Sequence, residues 1–117
     1  MSTQGDDRLE ILQGTLDVLV LNVLLAGEAH GQRIARAILE GSNGDLLVEH
    51  GSLYPALQRL EERGWIEGEW GTSENNRRAR FYRLTSAGRR QVGVETDRWR
   101  RLVGAMANVM GLRPSEE

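Results

Sequence analysis

The sequence predicts an α+β fold that is mostly helical, and three observations carry that prediction. Apolar residues recur at helical spacing over residues 9–26, 30–40, 52–63 and 86–110. A strand-like period takes over at Trp65-Ile66-Glu67-Gly68-Glu69-Trp70 and again at Arg80-Phe81-Tyr82-Arg83-Leu84. Between these strands, residues 71–79 are rich in Gly, Asn and Arg and too long for a two-residue hairpin turn. A short helix followed by a hairpin with a long basic tip is the recognition helix and two-stranded wing of a winged helix-turn-helix. The same order serves protein-binding winged helices, so DNA and protein partners both stay open at this point.

Taken in order, residues 1–8 are polar and read as a flexible leader. The winged helix-turn-helix then spans 9–85, a dimerisation helix 86–110 and a tail 111–117. In the first helix Leu16, Leu19, Val20, Val23 and Leu24 form one stripe, widened by Leu12, Val18, Leu21 and Leu25. A helix apolar nearly all round is buried all round, so in so short a chain one side is expected against a partner subunit. Gly27 ends it. The next helix turns Ile34, Ala35, Ile38 and Leu39 inward, and the turn residues 41–45 close it. His30 and His50 are expected as helix-end or turn residues bonding a backbone group. Residues 46–48 are expected to add a short third strand beside the hairpin.

In the recognition helix Ser52 is the expected N-cap, and Pro55, which lacks an N–H, is expected in the first turn. Leu53, Ala56, Leu57 and Leu60 make its inward stripe, and Gly64 closes it in a left-handed conformation. After the wing, Thr85 caps a helix to Met110, ended by Gly111 and Pro114. Gly88, Gly93 and Gly104 weaken that helix locally, so packing must hold it. Val92, Trp99, Leu102, Met106 and Val109 form a coiled-coil-like seam, broadened by Val103 and Met110. At 1.5 Å per residue the helix spans about 37 Å, more than the winged domain needs. Seam and first helix together predict a homodimer.

The chain has 117 residues, enough for one domain with a modest core. Without cysteine there are no disulfides, zinc ribbons or thiol catalysis. Neither a signal peptide nor a stretch of about 20 apolar residues is present, so a cytoplasmic protein without a membrane span is expected. The formal net charge of −2 is unevenly spread: −5 over residues 1–50, −3 over 51–76, +7 over 77–101 and −1 over 102–117. Since charges are screened over about 8–10 Å, a phosphate at the wing is expected to respond to the local basic block. Every cationic side chain is Arg; a GC-rich coding sequence explains this as well as nucleic-acid binding does.

Three runs carry a specific resemblance: Gly51-Ser52-Leu53-Tyr54-Pro55-Ala56-Leu57, Leu60-Glu61-Glu62-Arg63-Gly64-Trp65-Ile66, and residues 78–88 from Arg78-Ala79-Arg80-Phe81-Tyr82 to Ala87-Gly88. Together they resemble the PadR family of bacterial transcriptional regulators. Gly14-Thr15-Leu16, Val20-Leu21, Leu24-Leu25, His30-Gly31 and Ile34 match upstream, so the likeness covers residues 9–110. The resemblance implies a DNA-binding repressor that grips an inverted-repeat operator as a homodimer, with no cofactor.

The recognition helix would then place Ser52, Tyr54, Pro55, Gln58 and Arg59 in a major groove, its N-terminal end leading. Asn75, Asn76, Arg77 and Arg78 at the wing tip, with Arg80 on the next strand, would meet phosphates or a minor groove. Each has a plainer reading as a solvated turn or a packing residue. Some family members hold planar aromatic compounds between two tryptophans at the dimer interface. Trp99 is similarly placed, with Met106 nearby as an adaptable wall; the plainer reading makes both dimer packing. The alternative function is a protein-interaction module without DNA binding. An enzyme is not indicated: Ser52, His50 and Asp45 lie too close in sequence, on turn and cap positions, without an oxyanion motif. No metal set is apparent.

Overall fold

The computed structural model describes residues 13–112. The leader at 1–8, the expected opening of the first helix at 9–12, and tail residues 113–117 lie outside them. The elements are α1 (Gln13–Val23), β1 (Ala29–His30), α2 (Gly31–Gly41), α3 (His50–Glu62), β2 (Ile66–Thr72), β3 (Arg78–Leu84) and α4 (Ser86–Met110). A turn of 3-10 helix, Leu24–Ala26, extends α1. The three strands form an antiparallel sheet in the order β1-β3-β2.

α1 is the centre of the core, and its own chain buries it. Leu16, Val20, Leu21 and Leu24 are each 2% exposed or less, packed with Ile34, Leu53, Leu57, Leu60, Ile66 and Val92. Each such side chain stabilises the fold by roughly 1.5–3 kcal/mol relative to exposure. The expectation that one side of α1 must face a partner is therefore corrected for these residues. The start of α4 supplies the missing cover, held by Asn22, whose Nδ2 donates to Val18 O (2.8 Å) and Thr96 Oγ1 (3.1 Å). Only Leu25 remains a large exposed apolar side chain along 14–26.

α2 ends where the chain turns left-handed at Asn43 (φ 56°) and Gly44 (φ 86°). Gly44 N–H donates to Leu39 O at 2.8 Å, satisfying a carbonyl that the helix end leaves free. Residues 46–48 do not form the third strand: Ser42 Oγ takes the Leu46 N–H at 2.9 Å, and Val48 is buried in the core. The edge of β3 pairs instead with Ala29–His30, the segment just ahead of α2.

α3 is capped three residues earlier than its sequence suggests. Glu49, in extended conformation, is the N-cap, with no side-chain cap bond. Its carbonyl accepts from both Ser52 N–H (3.0 Å) and Leu53 N–H (2.9 Å). Ser52 is thus inside the first turn, and Pro55 lies inside the helix beyond it. The far end is as expected: Gly64 (φ 79°) turns left-handed and Trp65 N–H reaches back to Leu60 O at 3.1 Å.

The wing strands are each two residues longer toward the tip than their pattern suggests, because Gly71↔Ala79 and Thr72↔Arg78 continue the ladder. Asn76 N–H donates to Ser73 O (2.9 Å), Ser73 N–H to Arg77 O (2.8 Å), and Asn76 is left-handed (φ 59°). That is the geometry of a tight turn with a bulge, for which Asn is well suited.

α4 starts where Thr85 caps it, its Oγ1 accepting from Gly88 N–H at 3.0 Å. The same hydroxyl donates to Gly64 O at 2.6 Å, and Thr85 N–H donates to Trp65 O at 3.0 Å. Gly88 presses on that Trp65 carbonyl so closely that a Cβ there would collide with it. The first turn of α4 is thereby fastened to the chain leaving α3. Of the seam only Val92 enters the core; Trp99, Leu102, Val103, Met106, Val109 and Met110 are exposed, Val109 at 88%.

Candidate nucleic-acid interface

With Leu53, Ala56, Leu57 and Leu60 turned inward, helical spacing turns Ser52, Tyr54, Pro55 and Gln58 out to solvent. Ser52, Tyr54 and Pro55 stand near the end where the N–H groups of His50 and Gly51 have no acceptor within the helix. Gln58 lies about two turns further along, and of the four only Tyr54 lines the groove between α3 and the wing. Tyr54 is fixed from two sides. Its ring meets His50 edge-on at 5.6 Å, and it lies over Gly31 at the start of α2, where a Cβ would sit 2.9 Å from its hydroxyl oxygen. Tyr54 thus packs on α2, and it lines the edge of the groove between α3 and the wing.

That groove, of about 420 Å³, runs between the start of α3 and the wing. His50 and Tyr54 line one wall, Asn75, Arg77 and Arg78 the other, with Gln32 of α2 at the end. Asn76 is exposed at the same tip. The Arg78 guanidinium lies over the Trp70 ring at 4.7 Å, which holds its position without neutralising it. Arg77 and Arg78 make no ion pair among the described residues. His50, Gln32 and Trp70 are groove residues that sequence reasoning did not single out. Trp70 alone had a signal: alternation along β2 places it two residues from the partner of Arg78.

Two of the expected contact residues are engaged elsewhere. Arg59 turns back onto α1 and donates to Asp17 from Nη2 (2.7 Å) and Nε (3.4 Å), three-quarters buried. Arg80 crosses the face of Gly68, passes over Tyr82 at 5.8 Å and bonds Glu61 of α3. It braces the wing against the helix. Arg83 is likewise held by Glu67 (3.0 Å) and Glu69 (3.2 Å) across the strand register. The basic block seen along the chain is therefore divided in space: hairpin residues 66–84 hold four Arg against three Glu, and the five other arginines of 77–101 lie on α4.

Around Trp99 the structure forms a second, more apolar groove of about 360 Å³, lined by Gly14, Thr15 and Val18 of α1 with Glu95, Trp99 and Leu102 of α4. Met106 does not line it, because it stands about two turns further along α4 and is exposed there. His30 caps α2, its Nδ1 accepting from Arg33 N–H at 3.2 Å. His50 is the first residue of α3, but it meets the Tyr54 ring rather than a backbone group. Among the described residues no cluster of His, Asp and Glu is placed to hold a metal ion, and no helix is long and apolar enough to cross a membrane.

A three-helix core, a recognition helix with a polar outer face and a hairpin wing across a groove define a winged helix-turn-helix protein. The model of the transcriptional regulator PadR-like family matches residues 20–94, nearly two-thirds of the chain, and the chain belongs to that family. Membership places it among transcriptional regulators rather than enzymes. It is similar to an uncharacterized protein of Lysinibacillus sphaericus, 28% identical over 92 residues, covering 79% of this chain and 84% of the relative. Among solved structures it is similar to a transcriptional regulator from Clostridium thermocellum (25% identity, TM-score 0.73, 82% of this chain and 90% of that one). A PadR family transcriptional regulator from Eggerthella lenta is 26% identical, with TM-score 0.70 and 84% and 83% covered.

Proposed function

We propose that this protein is a sequence-specific DNA-binding repressor that grips an inverted-repeat operator as a cytoplasmic homodimer. The observation that carries the reading is the groove between α3 and the wing. One wall ends in free N–H groups and polar side chains, and the other presents Arg77 and Arg78 without acidic partners. Gln58 is the reader, since its amide can bond adenine at two points. Ser52, Tyr54 and the wing arginines set the register on phosphates. A protein-only partner would not require two arginines without acidic partners beside the start of α3.

The dimer rests on α4. Its last turns expose a continuous apolar stripe from Trp99 to Met110 that water does not tolerate over so long a face. The groove beside Trp99 favours a planar aromatic effector held there. Footprinting on the promoter of the protein's own gene is the test. Protection of two half-sites about 10 bp apart, or a multiple of that, in an inverted repeat supports the reading. A footprint without dyad symmetry, or binding indifferent to salt, overturns it.

A further inference from the structure

A smaller pocket of about 130 Å³ lies between the first turn of α2 and the wing tip, lined by His30, Gln32, Arg33, Arg36, Glu74 and Asn75. The N-terminus of α2 opens on it, with free N–H groups and the positive end of the helix dipole. His30, only 8% exposed, accepts from Arg33 N–H at Nδ1, so a neutral ring carries its proton on Nε2. That Nε2–H is buried and has no hydrogen-bond partner. The Glu74 carboxylate stands 3.8 Å from it, too far for a hydrogen bond. Arg33 and Arg36 are exposed and close no ion pair among the described residues. Buried donor, exposed arginines and helix end thus converge on one pocket, with Glu74 at its edge. The Glu74 carboxyl is held below the usual range, first by its own backbone N–H and then, against some desolvation, by His30 and Arg33.

We propose that this pocket takes a backbone phosphate of bound DNA, and that Glu74 stands in for that phosphate in the free protein. The proposal rests on the DNA reading above and adds a contact to it. The pocket shares His30, Gln32 and Asn75 with the larger groove, so a duplex lying in that groove brings its backbone to the pocket's mouth. The phosphate accepts from His30 Nε2 and from the first N–H groups of α2, with Arg33 beside it. Glu74, two-thirds exposed, swings out into solvent. Because displacing Glu74 costs the same whatever the bases, it lowers affinity for all duplexes alike and leaves sequence preference untouched.

The test is a salt titration of the full chain against a mixed-sequence duplex. Glu74→Gln should bind about three- to tenfold tighter at low salt, with a slope steeper by up to about 0.9. His30→Asn keeps a good capping side chain and deletes the Nε2 donor; added to Glu74→Gln, it should cancel the gain. Arg33→Gln, at an exposed position, is the second arm and should remove part of the gain without moving the melting temperature. A gain that survives both changes means that Glu74 only repels DNA at a distance, and the site is overturned. It is overturned too if inorganic phosphate at fixed ionic strength stabilises Glu74→Gln while duplex affinity stays unchanged, since the guest is then a free anion. A parent chain without salt-dependent duplex binding brings down the DNA reading itself, and this site with it.

Discussion

The arginines of the wing look alike in sequence and do different work. Arg77 and Arg78 are exposed and unneutralised, Arg83 is tied to two glutamates, and Arg80 is a strut to Glu61. Replacing Arg77 and Arg78 with Ala should flatten the salt dependence of DNA binding by about 0.9 for each phosphate left without its arginine. Arg80→Ala should leave that slope nearly unchanged and cost about 1 kcal/mol of stability, read from a urea midpoint, because Glu61 loses a half-buried partner. Equal slopes for the two variants would contradict the division. The outward face of α3 is legible in sequence because helical periodicity sorts its residues without knowledge of their neighbours. The pairings of Arg59 and Arg80 are not. Asp17 lies 42 positions from Arg59 and meets it only through the packing of α1 on α3, while Glu61 meets Arg80 only once the wing folds back.

For whole elements, legibility depends on how local the determinants are. The ends of α4 follow from Thr85 and Gly111, caps written in the chain itself. The start of α3 departs from its sequence pattern because a backbone carbonyl of Glu49 does the work expected of Ser52. The third strand forms elsewhere than expected because both candidate segments are short, and only the free edge of β3 chooses between them. Gly88 reads in sequence as a weak point of the last helix, yet its missing side chain is what lets α4 lie on Trp65. Gly88→Ala gains helix propensity but meets a backbone carbonyl that cannot yield. We expect a loss of about 1–3 kcal/mol by thermal or urea unfolding, the range for overpacking. An Ala variant as stable as the parent would mean that α4 can shift freely on the winged domain.

Across the whole molecule, the apolar stripe of α4 is the one large surface that its own chain leaves bare among the described residues, and the proposed dimer covers it. Trp99, at 37% exposure, stands where that stripe meets α1. If a planar aromatic compound binds there and releases DNA, each ligand must weaken the other by the same factor, because coupling between sites is reciprocal. Quenching of tryptophan emission by such compounds should vanish in Trp99→Phe, while sedimentation still shows a dimer and Trp65 and Trp70 still emit. Operator affinity unmoved by every planar aromatic, or dissociation of Trp99→Phe into monomers, would make Trp99 a packing residue only. The contact between Gly88 and Trp65 gives such coupling a mechanical form. It is a fulcrum: along α4, Trp99 lies about 16 Å from Gly88, and α3 extends about 18 Å on the other side, from its capped end to His50. With arms so nearly equal, a stiff pivot neither amplifies nor damps. A displacement of an ångström between the two subunits of the proposed dimer at Trp99 would reach the N-terminal end of α3, where Ser52 and Tyr54 are proposed to hold phosphates, at about the same size, enough to take a hydrogen bond to a phosphate out of range.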